Sequence, residues 1–232
     1  GIWILIFLSL ALYIFGKLKM PHDTPNQRLS FSRICGGLVV LVFVFYLCSG
    51  FRVNTDSKSF TSLTLLSGLA PPVGYSFFYP NDCPNNFECF KDFKEGVAYA
   101  QKVNKPIILD FTGYACVNCR KMEEHIWPKG SIKTYFENDY VLISLYVDDK
   151  KQLPEIEQLN VKRTGGVVRK LKNYGHKWSH FQTEYFQSNS QPYYVILNSD
   201  GDTILTPPVG YTPDEADYEA FLKCGLETFK KM

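Results

Sequence analysis

Two long apolar runs without a charged residue occupy most of residues 1–51. One extends from Gly1 to Phe15 and the other from Ile34 to Phe51. Each approaches the roughly 20 residues that a helix needs to cross the hydrocarbon core of a bilayer. We therefore predict two transmembrane helices within residues 1–51, surrounded by membrane lipid. A secretory signal peptide is the alternative for the first run, but that run lacks the basic segment with which such a peptide begins.

The charges around the two runs predict the orientation of the chain. The loop between them carries Lys17, Lys19, Arg28 and Arg33 against one acidic residue, Asp23. Basic residues in short loops favour the cytoplasmic side. We therefore predict a short cytoplasmic loop, with the rest of the chain on the periplasmic side of the inner membrane, where disulfides are tolerated. Because the chain does not begin with Met, we expect it to be the C-terminal part of a longer membrane protein.

The remainder of the chain divides into a linker and one domain. Residues 52–89 show short polar clusters without sustained periodicity, which predicts an extracytoplasmic linker. Residues 90–232 show helical spacing of apolar residues in some segments and short apolar runs in others. Helices are predicted over 90–100, 117–126 and 213–231, a short one over 153–159, and strands over 106–111, 140–147, 191–197 and 202–206.

The order of these elements predicts an α/β domain. Strands that alternate with helices and end in a hairpin indicate a mixed central sheet flanked by helices on both faces. The segment 161–190, rich in Lys, Gly and aromatic residues, is predicted to be an insertion with local structure. The net charge of +2 is too small to indicate a nucleic-acid partner.

A Cys-X-X-Cys pair, Cys116 and Cys119, lies between a predicted strand and a predicted helix. At the helix N-terminus, unpaired backbone N–H groups and the helix dipole would stabilise a Cys116 thiolate, which is the attacking species in thiol–disulfide exchange. Cys119, nearly one turn further on, would be shielded and could resolve a mixed disulfide by attacking Cys116. The pattern therefore predicts a redox-active pair.

Two carboxylates flank the pair. Asp110 ends the predicted strand in an apolar setting, and Glu123 follows Cys119 by four residues, on the same helix face. A partly buried carboxylate with a raised pKa could accept the proton of Cys119. The alternatives are that Glu123 lies on the solvated helix surface and that Asp110 only caps the following turn.

Zinc binding is the main alternative for the cysteines. A structural zinc site needs four ligands, and Cys83, Cys89 and His125 are the nearest further candidates. Cys83 and Cys89 are six residues apart in a Pro/Asn-rich turn and do not form a second tight pair, so no metal is predicted. We predict instead that they form a local structural disulfide, with a role in relaying electrons to Cys116 as the alternative.

The stretch "KPIILDFTGYACVNCRKMEE" (105–124) resembles the thioredoxin active site. Together with "SQPYYVILNSDG" (190–201) and the preceding apolar runs, it is more closely similar to the C-terminal thioredoxin-like domain of DsbD-type thiol:disulfide interchange proteins. The resemblance covers most of the chain, most firmly from Phe90 onward. It implies a thioredoxin-like fold preceded by two transmembrane helices, and a cis Gln191–Pro192 peptide with Pro192 facing the cysteines.

The same resemblance implies a membrane disulfide reductase that needs no metal or organic cofactor. Electrons from cytosolic thioredoxin would cross an upstream membrane domain of the same protein and reduce Cys116–Cys119. The pair would pass them to other extracytoplasmic thiol proteins, including those of cytochrome c maturation. Val-Asn replaces the Gly-Pro of thioredoxin between the cysteines, and Tyr114 replaces the usual Trp, so the redox potential does not follow from the sequence. The alternatives are a stand-alone membrane-tethered thioredoxin-like oxidase or isomerase and a non-catalytic adaptor with a structural disulfide.

Overall fold

The computed structural model of the protein describes residues 1–23, 29–54, 59–60, 63–66, 83–162, 166 and 168–232. Arg28 and most of the predicted linker lie outside these residues. The chain divides into two compact units, Gly1–Leu65 and Leu66–Met232.

The first unit is built on two apolar helices, α1 (Ile2–Ile14) and α2 (Phe31–Ser49). They pack against each other, with the rings of Phe7 and Phe43 4.8 Å apart in an edge-to-face arrangement. After α2, strand β1 (Val53–Asn54) pairs with β2 (Ser59–Phe60), and a short 3₁₀ turn covers Thr64–Leu66, where the first unit ends and the second begins.

Only one described helix, α2, is long and apolar enough to cross a membrane by length and composition. The two predicted spans therefore correspond to one candidate membrane helix and one shorter apolar helix. α1 has 13 residues and ends just before Gly16, whose φ of +70° departs from helical geometry. An apolar helix such as α2 suits either a membrane anchor or a signal sequence.

The second unit contains the remaining helices and strands. Its helices are α3 (Phe93–Val103), α4 (Val117–His125), α5 (Gly130–Thr134), α6 (Tyr174–Phe186) and α7 (Glu215–Phe229). Its strands are β3 (Cys89–Phe90), β4 (Ile107–Thr112), β5 (Val141–Tyr146), β6 (Asn160–Lys162), β7 (Val168–Lys170) and β8 (Tyr193–Leu197). Short 3₁₀ turns cover Pro84–Asn86 and Glu155–Glu157, and a π-helical turn covers Tyr135–Asp139.

The central sheet has the strand order β3-β5-β4-β8. β3, β5 and β4 run parallel, and β8 runs antiparallel to β4. Every residue of β4 and β5 is buried, which is typical of strands covered on both faces. The predicted mixed sheet flanked by helices is thus confirmed.

Each face of the sheet carries its own core, because successive side chains of a strand point to opposite faces. One core joins Ile108 of β4 to Met122 of α4 and Tyr218 of α7. The other joins Leu109 of β4 to Ala100 of α3 and Trp178 of α6. Helices α4 and α7 therefore cover one face of the sheet, and α3 and α6 cover the other.

The predicted final hairpin is present only in part. The chain reverses after β8, and the Leu205 amide donates to the Ile196 carbonyl at 2.9 Å. The returning segment 202–209 makes only isolated bridges to β8 and does not form a strand. Pro207 and Pro208 have no amide hydrogen, which interrupts the ladder.

The prediction that residues 161–190 form an insertion is corrected for its second half. Strands β6 and β7 pair with each other in a separate two-stranded sheet outside the central one, but α6 is part of the domain core. Trp178 is buried on α6, and the ring of Phe181 lies 4.9 Å from that of Phe93 on α3. The aromatic residues of this segment are the apolar face of a covering helix.

The domain also begins earlier than predicted, since the sequence pattern indicated a start at residue 90. Phe87, assigned to the linker, is 6% exposed, and its ring stacks on that of Phe136 at 5.3 Å. Cys83 and Cys89 are joined by a disulfide with their Cα atoms 5.9 Å apart. The segment from Cys83 therefore belongs to the folded unit.

Replacing both Cys83 and Cys89 by Ser should lower the free energy of unfolding of this unit by about 2 kcal/mol, because opening even a short loop increases the entropy of the unfolded chain. Denaturant unfolding of the full chain in detergent, followed by tryptophan fluorescence, measures the change. Cys224→Ser, which removes an exposed free thiol, is the matched control. Equal unfolding midpoints for the double variant and the control would contradict the structural role of the disulfide.

Candidate active site

The cysteine pair lies where β4 leads into α4. Cys116 is the N-cap residue of α4, and its Sγ accepts a hydrogen bond from the Cys119 amide at 3.2 Å. The two cysteines are joined by a disulfide, with their Cα atoms 5.3 Å apart. A sulfur at a helix N-cap is close to unpaired backbone N–H groups and to the positive end of the helix dipole, both of which stabilise a thiolate.

The two sulfurs differ in accessibility. Cys116 is half-buried and has exposed neighbours on either side, Ala115 and Val117. Cys119 is 1% exposed. A partner protein can therefore reach Cys116, whereas Cys119 can react with little other than Cys116.

An aspartate that the sequence analysis missed holds the loop before Cys116. The carboxylate of Asp148 accepts hydrogen bonds from the amides of Tyr114 and Ala115 at 2.8 and 2.9 Å. A Cβ atom on Gly113 would lie 3.1 Å from an Asp148 oxygen, so the loop passes close to this side chain. Asp148 follows β5, and the carboxyl ends of neighbouring parallel strands meet at one edge of a sheet. The position of Asp148 directly after a predicted strand is the sequence signal that could have identified it as a residue of the site.

Asp110 lies in the middle of β4 and is 1% exposed. In the sheet it stands between Ser144 of β5 and Tyr194 of β8. The Ser144 hydroxyl donates to Asp110 Oδ2 at 3.1 Å, and Oδ1 has no hydrogen-bond partner among the described residues. Burial raises the pKa of Asp110 to about 7, partly opposed by the Ser144 hydrogen bond and the charge of Arg120.

Glu123 is 5% exposed, so the alternative that it lies on the solvated surface of the helix is wrong. The face of α4 that carries Cys119 and Glu123 packs against the sheet. Arg120, also missed by the sequence analysis, forms a buried ion pair with the Glu123 carboxylate. Burial raises the pKa of Glu123 to about 8, while the Arg120 charge acts to lower it. The Asn85 side chain donates to the Glu123 carbonyl at 2.8 Å.

Pro192 is buried and follows Gln191 through a cis peptide bond. It directly precedes β8, whose first residue, Tyr193, pairs with Phe111 of β4. Pro192 therefore lies at the end of the sheet from which the cysteine loop starts. The cis peptide bond is the one that the resemblance implies.

The arrangement can perform thiol–disulfide exchange. It combines an accessible sulfur at a helix N-terminus, a shielded second sulfur and two buried carboxyl groups on the α4 face of the sheet. The zinc alternative loses two of its ligands, because Cys83 and Cys89 are bonded to each other. Among the residues that the structure describes, no group of three or more His, Cys, Asp or Glu side chains is arranged to hold a metal ion.

Comparison with known proteins gives a family match. Residues 93–224, more than half of the chain, match the family described as "Thioredoxin-like domain". A search of curated protein sequences finds no match.

Several solved structures are similar to part of the chain. A DsbH oxidoreductase is 21% identical over 60% of this chain and 83% of its own, with a TM-score of 0.43. A thioredoxin from Thermus thermophilus is 15% identical over 59% of this chain and 85% of its own, with a TM-score of 0.41. A disulphide isomerase from Xylella fastidiosa Temecula1 is 13% identical over 70% of this chain and 98% of its own, with a TM-score of 0.36.

Proposed function

The chain belongs to the thioredoxin-like domain family, and from that membership we propose that it is the extracytoplasmic dithiol/disulfide oxidoreductase part of a membrane disulfide reductase. The observation that carries the proposal is the pairing of an accessible Cys116 with a shielded Cys119, together with two buried carboxyl groups on the α4 face of the sheet. A structural disulfide needs neither a reactive sulfur at a helix N-terminus nor proton acceptors behind it. The non-catalytic adaptor therefore accounts for the site less well.

The first step of the reaction is the attack of Cys116 on a partner. The Cys116 thiolate attacks one sulfur of a partner disulfide, a new S–S bond forms between the two proteins, and the partner's other sulfur leaves as a thiolate that takes up a proton. The helix N-terminus favours the thiolate form of Cys116 in the reduced protein.

The second step releases the partner. Cys119 gives up its proton to a buried carboxylate and attacks the Sγ of Cys116. The Cys116–Cys119 disulfide forms, and the partner leaves with its second sulfur reduced and then protonated. Two electrons have passed from the cysteine pair to the partner disulfide, the Cys119 proton has gone to the buried carboxylate, and the two partner sulfurs take up their protons from solvent. This half-reaction needs no cofactor.

The membrane context rests on features outside the active site. We propose that α2 anchors the chain in the inner membrane and that the Cys83–Cys89 disulfide reflects an oxidising, periplasmic compartment. The pair would be reduced by an upstream membrane domain of the same protein. It would then reduce extracytoplasmic thiol proteins, with those of cytochrome c maturation as one class. A second apolar span within residues 1–15 remains part of this proposal.

The redox state of the pair in intact cells tests the proposal. A reductase must keep Cys116 and Cys119 mostly as thiols, and a thiol-alkylating reagent that does not cross the inner membrane should modify them in cells with a permeabilised outer membrane. The gel mobility of the alkylated full-length protein measures both the redox state of the pair and its accessibility to the reagent. The Cys116→Ser/Cys119→Ser variant shows the mobility without alkylation of the pair. A pair found oxidised at steady state would point to the oxidase alternative. Labelling that requires lysis of the inner membrane would contradict the periplasmic location.

A further inference from the structure

Arg120 is a buried cation next to the resolving cysteine. It is 3% exposed, although arginine is rarely buried unless it is paired. Its Nη2 donates to Thr112 Oγ1 at 3.3 Å and to the Glu123 carboxylate, whereas Nε and Nη1 have no hydrogen-bond partner among the described residues. A guanidinium held this way loses much of its hydration without regaining all of its hydrogen bonds. Its position therefore calls for an explanation beyond packing.

The charged groups around Arg120 are few. Asp110 from β4 and Glu123 from α4 are buried with it, and Glu124, half-buried, adds a more distant negative charge. Tyrosines from the strands and helix packed on this face complete the surroundings: Tyr146 of β5, Tyr194 of β8 and Tyr218 of α7. Burial raises the pKa of all three tyrosines, so they stay neutral at physiological pH.

The buried groups thus comprise one fixed positive charge and two carboxyl groups. With both carboxyl groups ionised the cluster carries a net negative charge, and with both protonated a net positive one. Burial disfavours either net charge. The neutral combination holds one proton and one carboxylate, so Arg120 keeps one carboxylate ionised that burial alone would protonate.

We propose that Arg120 is a positioning residue for the redox reaction: it keeps one carboxylate of the Asp110–Glu123 pair ionised near neutral pH, ready to take the proton of Cys119. The proposal deepens the proposed function and rests on it. The hydrogen bonds of Arg120 go to Thr112 and Glu123, and in this role Arg120 acts through the two carboxyl groups.

Charge balance supports this role. When Cys119 transfers its proton, the ionised carboxylate becomes neutral and Cys119 becomes a thiolate. The total charge of the cluster and Cys119 together is the same before and after the transfer. The positive charge of Arg120 neutralises the negative charge of a carboxylate before the transfer and that of the Cys119 thiolate after it. No uncompensated charge therefore develops in the protein interior. Without Arg120, the negative charge would stand alone in both states.

The pH profile of the resolving step tests the proposal. The reduced full chain in detergent is mixed with an aromatic disulfide reagent whose released thiolate absorbs visible light. The phase that Cys119→Ser abolishes reports the attack of Cys119 on Cys116. In Arg120→Met the midpoint of this phase should move up by at least about one pH unit, which slows it about tenfold below the midpoint. The rates of wild type and variant should converge at alkaline pH. Arg120→Lys, which keeps the charge, should retain most of the wild-type profile.

Lys121→Met, which removes a charge from the adjacent, less buried position, is the matched control and should leave the midpoint unchanged. If Arg120→Met does not fold, the single variant Glu123→Gln is compared with the double variant Arg120→Met/Glu123→Gln. The double variant has no Glu123 carboxylate, so the loss of Arg120 does not leave that carboxylate buried without its ionic partner. The double variant should have the higher midpoint. Three results would overturn the role of Arg120. The first is that Arg120→Met slows the phase equally at all pH values, and the second is that Glu123→Gln and the double variant have the same midpoint. The third is that Arg120→Met and Lys121→Met shift the midpoint equally. A wild-type protein without any Cys119-dependent phase would overturn the proposed function itself.

Discussion

Replacing Cys119 by Ser should stop the reaction at a stable mixed disulfide between Cys116 and its partner, with multiple turnover almost completely lost. Cys116 remains accessible at the helix N-terminus and can still attack a disulfide. The serine hydroxyl cannot displace the partner, since a hydroxyl is far less acidic and less nucleophilic toward sulfur than a thiol. Non-reducing gels of cells that express the variant, followed by identification of the attached proteins, measure the outcome and identify the partners.

Two variants control this trapping experiment. Cys116→Ser/Cys119→Ser should capture nothing, because the attacking sulfur is absent. Cys224→Ser, which makes the same chemical change at an exposed free thiol outside the site, should turn over normally. If Cys119→Ser captured no partner while the protein was folded and membrane-bound, Cys116 would not be a nucleophile and the adaptor alternative would be favoured.

Replacing Asp110 by Asn should slow the resolving step by about a hundredfold near neutral pH, within the range of a positioned general base. The wild-type carboxyl, with a pKa of about 7, becomes a better proton acceptor as the pH rises through neutrality. In the variant no carboxyl at this position accepts the proton, so hydroxide must remove it from Cys119 and the rate should rise with pH. The difference between the two proteins should therefore shrink toward alkaline pH. The two-phase absorbance assay measures the profile.

Asp200→Asn is the control for this variant. Asp200 is exposed in the turn after β8, at the end of the sheet opposite the cysteines, and its replacement should leave the profile unchanged. Parallel profiles for Asp110→Asn and wild type, offset by a constant factor, would indicate a packing effect and would contradict proton transfer through Asp110.

The architecture of the second unit could be predicted because the sequence patterns that indicate its strands and its active-site helix are local. The runs "IILDF" and "VLISLY" are apolar at every position and became the two central strands, β4 and β5. The cysteine pair could be located on a helix N-terminus from the strand pattern before it. These patterns need only the period of the backbone and the order of the elements.

Features that depend on distant contacts could not be predicted in the same way. Glu123 and Arg120 have the sequence pattern of a solvated i,i+3 pair, and their burial follows from how α4 is rotated on the sheet. Phe87 lies in a polar, proline-containing segment, and its partner Phe136 is remote in sequence. Similarly, α6 was hidden by a high content of Lys and Gly around its aromatic face. In each case tertiary packing, and not local propensity, determines the environment.

The hydrogen bond from Asn85 to the Glu123 carbonyl connects the two disulfides of the domain mechanically. The Cys83–Cys89 loop holds the last turn of the active-site helix, while Cys116 lies at the first. With its far end held, α4 is expected to adjust to the opening and closing of Cys116–Cys119 at the start of its first turn, where Val117 and Asn118 are exposed. We therefore expect the interior around Asp110, Arg120 and Glu123 to keep its geometry through the redox cycle, so that the proton acceptor is equally placed in every turnover.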